Sequence, residues 1–349
     1  MIFGKQFGGK ITKGLIERYS QSPNWRDGCF QNYEKATLSA DLSKMPGVIY
    51  KQLSNRSARQ PASPLPVAKL EKEDFMGTSD RIRMVWYGHS ALLLNVNGMI
   101  ILIDPMLGPN TTPIAPIPTR RFSENTLDLI DEFPEIDIVL LSHDHYDHLD
   151  YASVMKLQPK VKQWWVALGV KRHLESWGFH PEKVVEFDWW DQKEVSGMDI
   201  TFTPTRHFSG RGLTDRYKSL WGGWVINSGT EKIWFSGDGG FGSHFEEIGK
   251  RLGPFDFGMM ECGQYNVDWH DIHLFPEESV KAATLGGVRE VMPVHWAGFS
   301  LSYQHTWKEP ADQFVAACIK AELSYALPQL GEIFEVNKSP NKRWWDDFN

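Results

Sequence analysis

Cysteine is scarce in this 349-residue chain: Cys29, Cys262 and Cys318 are widely spaced and odd in number, which excludes a disulfide framework and a CxxC metal knuckle. A reducing compartment is the simpler setting. Long apolar runs are missing too. The best candidate, residues 91–107, is interrupted by Asn95, Asn97 and Asp104, which argues against a membrane-spanning helix. The opening MIFGKQFGGK lacks the apolar stretch of a secretory signal, so a cytoplasmic location is expected. Positive charge is in deficit, with 37 Lys and Arg against 44 Asp and Glu and a net charge of −7 with neutral histidines. No Lys/Arg stripe is present to track a phosphate backbone, so nucleic acid is not expected as a partner. Internal repeats and low-complexity segments are also missing.

What remains is the composition of a globular protein. Hydrophobic residues make up 41% and aromatic residues 13%, enough for one large core or two modest ones. Residues 1–80 read as an irregular N-terminal extension, with Gly8-Gly9, turn signals and a proline-bearing stretch at 54–67, expected to lie along the surface as an arm. From Arg81 onward, short β-branched and aliphatic runs predict strands at 82–87, 91–96, 99–103, 137–141, 164–167, 184–187, 199–203, 224–227, 232–235, 256–260 and 290–294. Helices are predicted at 125–132, 170–177, 276–285 and 308–323, the third opening with Pro276, Glu277 and Glu278. This order points to an α/β fold of layered sheets with helices outside, in one domain at 81–336, with 337–349 as a C-terminal tail. One connection, 104–121, carries Pro105, Pro109, Pro113, Pro116 and Pro118 and is long enough to be functional.

The twelve histidines matter more than the cysteines, because three of them fall within six residues. Ser142-His143-Asp144-His145-Tyr146-Asp147-His148 follows an apolar strand and forms an HxHxDH arrangement. The i, i+2 pair His143 and His145 can turn toward one cation while Asp147 and His148 reach a second. One loop cannot close two coordination spheres, so further donors are needed at other strand ends. His207 after 199–203, Asp238 after 232–235 and His295 after 290–294 meet that need. Singly, each would pass for an ordinary turn, surface or core residue; their joint placement after strands marks them. Glycines around Asp238 let the backbone come close to a metal pair.

The order HxHxDH, His207, Asp238, His295 resembles the metallo-β-lactamase fold superfamily. Gly88-His89-Ser90, Ile103-Asp104-Pro105, Glu186-Phe187-Asp188-Trp189-Trp190 and His295-Trp296 are similar to its N-acyl-phosphatidylethanolamine-hydrolysing phospholipase D branch. The resemblance covers residues 81–331 and implies an αββα sandwich of two mixed β-sheets flanked by helices. It further implies that His143, His145 and His207 hold one divalent ion, that Asp147, His148 and His295 hold a second, and that Asp238 bridges them. Zinc is expected from a nitrogen and oxygen donor set without thiolate. Two cations sharing a water generate a bridging hydroxide as nucleophile, which places Asp147 and Asp238 in the catalytic set. His273 matches a family active-site histidine and is expected to protonate the leaving alcohol. Asp104 is expected to accept a hydrogen bond from a ligand imidazole, with His89 near the same edge. His173, His180, His244, His270 and His305 are read as solvated or structural.

By resemblance, a phospholipid diester is the leading substrate, with an N-acylethanolamine and a phosphatidic acid as products. Met106, Leu107, Ile114 and Ile117 of the 104–121 connection would wall a channel for acyl chains. The same frame also suits a soluble lactonase or small phosphodiester hydrolase using Arg206, Arg211 and Arg216, or a non-catalytic scaffold. Residues 2–16 scatter apolar side chains among Lys5, Lys10, Lys13 and glycines, which leaves peripheral membrane contact open. Oligomeric state has no signature in this sequence.

Overall fold

Two seven-stranded sheets face each other in the computed structural model, which describes residues 4–36, 47, 56–77, 79–111, 119–212 and 214–348. A short ribbon, β1 (Trp25–Arg26) with β2 (Cys29–Phe30), precedes them. In spatial order the first sheet runs β16 (Ile333–Glu335), β3 (Arg83–Trp86), β4 (Leu92–Val96), β5 (Met99–Ile103), β6 (Ile136–Leu141), β7 (Val161–Ala167) and β8 (Val184–Phe187). The second runs β15 (Ser324–Tyr325), β14 (Val288–Val294), β13 (Phe255–Glu261), β12 (Lys232–Phe235), β11 (Gly223–Asn227), β10 (Met198–Thr203) and β9 (Gln192–Val195). Pairing is antiparallel from β16 to β5 and from β9 to β12, and parallel through the rest of each sheet.

The strands read as apolar runs because both faces are covered. Ile138, Val139, Leu140 and Leu141 of β6 are all buried. Rings interlock between the sheets, with Phe187 of β8 5.2 Å from Trp224 of β11 and Phe257 of β13 6.0 Å from Phe334 of β16. Helix Pro276–Gly286 covers β13 and β14. It starts as its sequence predicts: Pro276 occupies the first turn and the Glu278 carboxylate accepts the Phe275 N–H. It comes so close to β12 that a Cβ on Gly286 would lie 2.5 Å from the Trp234 ring.

Several elements differ from the sequence reading. The 125–132 helix is a 3-10 turn, Thr126–Asp128, followed by a single α turn, Leu129–Glu132. Asn125 enters it with φ 55°, a left-handed conformation that cannot extend a helix backward. Helices Tyr151–Leu157 and His244–Leu252 are present besides those expected, each with apolar positions on one side, and strands β9, β15 and β16 are too short or too polar to show a period. Residues 112–118, with Ile114, Ile117 and three of the loop prolines, lie outside the described residues.

Both ends of the chain contribute to the core. Tyr19, Trp25 and Phe30 form a buried aromatic cluster in the N-terminal arm, and Trp344 and Trp345 are buried near the C-terminus. Within the described residues no helix is long and apolar enough to cross a membrane.

Strands β6, β10, β12, β13 and β14 all end at one edge of the sandwich, where open α/β sheets gather their functional loops. The backbone ties the two sheets together there. His89 donates its N–H to Trp296 O at 2.7 Å, and His295 donates to His89 O at 2.9 Å.

Candidate metal centre

Each functional side chain emerges just past a strand end. After β6 the chain turns tightly, with the N–H groups of His148 and Leu149 both donating to His145 O at 3.1 and 2.8 Å. It then enters helix Tyr151–Leu157 through Asp150, whose carboxylate accepts Ser153 N–H at 2.8 Å. His207 follows β10, Asp238 follows β12 and His295 follows β14.

The structure brings all seven predicted donors together in two groups with Asp238 between them, and His89, Glu261 and His273 lie close enough to join overlapping donor groups. In the first, His143 Nε2 and His207 Nε2 lie 2.9 and 3.2 Å from His145 Nδ1. In the second, Asp147 Oδ2 lies 3.3 Å from His295 Nε2 and 3.7 Å from His148 Nε2. Between them, Asp238 Oδ2 is 3.0 Å from both His148 Nε2 and His295 Nε2, and 4.0 Å from both His143 Nε2 and His207 Nε2.

Outer hydrogen bonds decide which ring nitrogens carry lone pairs. His207 Nδ1 faces Ile272 O at 2.9 Å, so it holds the proton and Nε2 is bare. His148 Nδ1 donates to Asp104 Oδ2 at 2.7 Å, which turns Nε2 toward Asp238. His143 Nδ1 faces Ser142 Oγ at 2.8 Å, whose own proton goes to Asp104 Oδ2 at 2.6 Å. His295 Nδ1 lies 3.4 Å from both Gly263 O and Glu261 Oε1. The Nε2 atoms of His143 and His207 thus converge on His145 Nδ1, while those of His148 and His295 meet carboxylate oxygens. His145 Nε2 and Asp238 Oδ1 are also buried without a hydrogen-bond partner. The residues fit a metal centre on donor chemistry and on these orphaned atoms alike.

Proton affinities split the two groups. Burial and neighbouring imidazoles push His143 and His207 well below the usual histidine range, and burial lowers His145, so the first group offers neutral imidazoles. In the second, burial is outweighed: Asp238, Asp147 and Asp104 raise His148 to about 10, and Asp238 raises His295 as well. Buried Asp104 and Asp238, with Asp147 beside them, favour cationic charge at this group.

A further layer holds these groups. Asp104 accepts from Ser142 N at 2.8 Å as well as from Ser142 Oγ and His148. His89 is buried with Nε2 3.0 Å from Asp147 Oδ2 and its ring 4.1 Å from that of His295; burial and His295 lower it to about 3. His89, Asp104 and His295 have φ of 54°, 39° and 67°, strained values for residues other than glycine that surrounding bonds must enforce.

His273 sits at the edge of the cluster, its ring 5.2 Å from His207 and 5.3 Å from His295. Its Nδ1 is hydrogen-bonded to Glu261 Oε1, and Glu261 Oε2 accepts Gly239 N–H at 2.7 Å. Glu261 was not singled out in the sequence, although its position at the end of β13 is the same signal that marks His295. Asp144, inside the HxHxDH stretch, turns away from the cluster and binds Ser219 Oγ at 2.7 Å, Gly210 N at 2.8 Å and His173 Nε2 at 3.2 Å.

Of the three arginines read as pocket cations, two are committed elsewhere. Arg206 reaches Lys35 O at 2.6 Å and Asp271 at 3.0 Å, and Arg211 is buried on the carbonyls of Asp144, Leu149 and Gln6. Arg216 lies over the Phe208 and Tyr217 rings, and Phe208 packs against His145.

A two-sheet sandwich with a metal-type donor cluster at its strand ends defines a class. The β-lactamase superfamily domain matches residues 100–296, and the chain belongs to the metallo-β-lactamase superfamily of metal-dependent hydrolases. Its relatives narrow the placement. An uncharacterized protein of Mycobacterium tuberculosis is 36% identical over 333 residues, covering 93% of this chain and 88% of that one. N-acyl-phosphatidylethanolamine-hydrolyzing phospholipase D 1 of Caenorhabditis elegans is 30% identical over 292 residues, covering 79% and 81%. Within the superfamily, the chain falls in the branch similar to that phospholipase D. A metallo hydrolase from the archaeon Ignicoccus hospitalis shares the fold, with a TM-score of 0.56 and 19% identity over 73% of this chain and 97% of that one.

Proposed function

We propose that the chain is a phosphodiesterase of the phospholipase D type, acting on N-acyl-phosphatidylethanolamine-like lipids with two divalent cations, zinc by donor type. The observation that carries this reading is the division of seven donors into two groups joined by Asp238, in a chain similar to a lipid phosphodiesterase. His143, His145 and His207 would hold one cation, Asp147, His148 and His295 the other, with Asp238 between. Bound there, two cations would acidify a shared water and neutralise charge developing on a phosphoryl oxygen.

The chain's own residues supply the rest. Asp104, Ser142, Ile272 O and Gly263 O fix the ring tautomers, so the donors need no rearrangement to hold the cations. Hydrolysis forms a P–O bond from water and breaks the P–O bond to the N-acylethanolamine, leaving a phosphatidic acid. The departing oxygen needs a proton. His273 stands beside the cluster with Nδ1 tied to Glu261, so its Nε2 would take a proton released by the attacking water and pass it to the departing oxygen.

The lactonase or soluble-diesterase alternative calls on Arg206, Arg211 and Arg216; the first two are spent on protein oxygens, which leaves it Arg216, over the Phe208 ring. A lipid substrate also entails contact with a membrane or micelle surface.

Metal analysis followed by an assay panel tests the reading. Two equivalents of zinc and release of N-acylethanolamine from an N-acylated phosphatidylethanolamine are expected. Turnover confined to lactones or soluble diesters rejects the lipid substrate, and a protein without bound metal rejects the centre itself.

A further inference from the structure

We propose that Asn32, on the N-terminal arm, is a positioning residue for His207 and that the arm thereby belongs to the metal centre. This rests on the two-cation reading above. Asn32 Oδ1 accepts the His207 N–H at 3.0 Å, and Asn32 Nδ2 donates to His207 O at 2.8 Å. One side-chain amide thus pairs with both polar groups of a single residue, as a neighbouring strand would. His207 lies past the end of β10, where no strand is available to do this.

The amide is held in turn. Buried Trp221 donates its Nε1–H to Asn32 Oδ1 at 3.0 Å and to Thr205 O at 3.1 Å, which ties the clamp to both sides of the His207 turn. Ile272 O fixes the His207 ring and Asn32 fixes its backbone, so two anchors from distant parts of the chain determine where Nε2 points. The donor group it completes has only His143 and His145 besides.

Other residues of the 4–36 stretch meet the same connection, residues 205–221. Phe30 donates its N–H to Tyr217 O at 2.9 Å, the Lys35 carbonyl receives Arg206, and the Gln6 carbonyl receives Arg211. Gly8-Gly9 instead packs on helix Lys171–Ser176: a Cβ on Gly9 would lie 2.2 Å from Arg172 O, and Gly9 N–H donates to His173 Nδ1 at 3.1 Å. Residues 6–35 thus meet the loop bearing His207 at several points, in a stretch that also carries helix Lys13–Tyr19 and the β1–β2 ribbon.

Only a side chain with a donor and an acceptor at this reach can serve. Asn32→Asp keeps the acceptor for His207 N–H and Trp221 but loses the donor to His207 O; Asn32→Ala loses both. Asn24→Ala removes another arm contact, to Asp188 Oδ1 at 2.8 Å, and serves as control. The full-length proteins are loaded with zinc and titrated with a chelator, and the cobalt(II)-substituted forms are read by their d–d absorption. Wild type should hold two equivalents. Both Asn32 variants should release one equivalent at tenfold or more lower chelator concentration, with an altered cobalt spectrum, while Asn24→Ala behaves as wild type. Asn32→Asp, isosteric with the native residue, carries the test if Asn32→Ala does not fold. Wild-type metal retention and cobalt spectrum in Asn32→Asp, or equal metal loss in Asn24→Ala, overturn the proposal. A wild type that fails to bind two cations instead overturns the reading beneath it.

Discussion

His148 donates its Nδ1–H to Asp104 Oδ2 across 2.7 Å, and both side chains are completely buried. The bond turns the opposite ring nitrogen toward Asp238, 3.0 Å away. A buried carboxylate is costly to desolvate, and Asp104 recovers that cost through Ser142 N, Ser142 Oγ and His148. Its strained φ of 39° marks a position that packing enforces.

Asp104→Asn keeps the shape of this residue and removes its charge. Metal affinity should fall by roughly 10–100-fold with the fold retained. Chelator competition measures it, alongside circular dichroism. Unchanged affinity would mean that Asp104 serves the strand end and not the centre.

Asp238→Asn and His273→Ala should separate metal binding from proton delivery. Loss of the shared carboxylate should reduce metal content and rate together. His273→Ala should lower kcat by roughly 10²–10⁴-fold with both cations in place. Metal content by emission spectrometry and initial rates decide; equal metal loss in the two variants contradicts the separation.

Stability should fall in mild acid through His173, which lies outside the donor groups. Burial and the Arg172 guanidinium lower it from 6.5 to about 4, against the pull of Asp144. Because the folded state disfavours the proton, this stabilisation is complete above pH 6.5 and is lost as the pH falls from there toward about 4. The full effect is on the order of 3 kcal/mol. His173→Asn keeps a donor and an acceptor but cannot titrate. Urea unfolding at pH 7.5 and pH 5 should show a larger loss for wild type than for the variant, and comparing the two cancels any titration of the metal centre. Equal losses would sink the assignment.

Trp345→Ala should destabilise the protein by about 3–5 kcal/mol, because a fully buried indole is removed. The ring stands edge-on to Trp296 at 5.1 Å, and its Nε1–H reaches Asp312 Oδ1 at 2.8 Å. Denaturant unfolding measures the cost. A loss below about 1 kcal/mol would make the packing of residues 337–348 incidental.

The donors were legible because each follows an apolar run: His143 after β6, Asp238 after β12 and His295 after β14. The sheets were legible for the same reason, since covered strands must be apolar. Asp144 was not legible, because a residue inside a metal-binding pattern carries no mark of the face it turns to; it meets Ser219 and His173. Arg206 and Arg211 look like free cations in one dimension and are held by backbone oxygens in three.

The chain's one-dimensional pattern determined the kinds of ligand atoms present and which turns carry them, since hydrophobic periodicity and strand ends are local properties. Only the tertiary structure decided that Asp238 lies between two donor groups, that Glu261 backs His273, and that Asn32 grips His207 from 175 residues away. Such contacts depend on how two sheets and an arm close on one another, and no short window of residues contains that geometry.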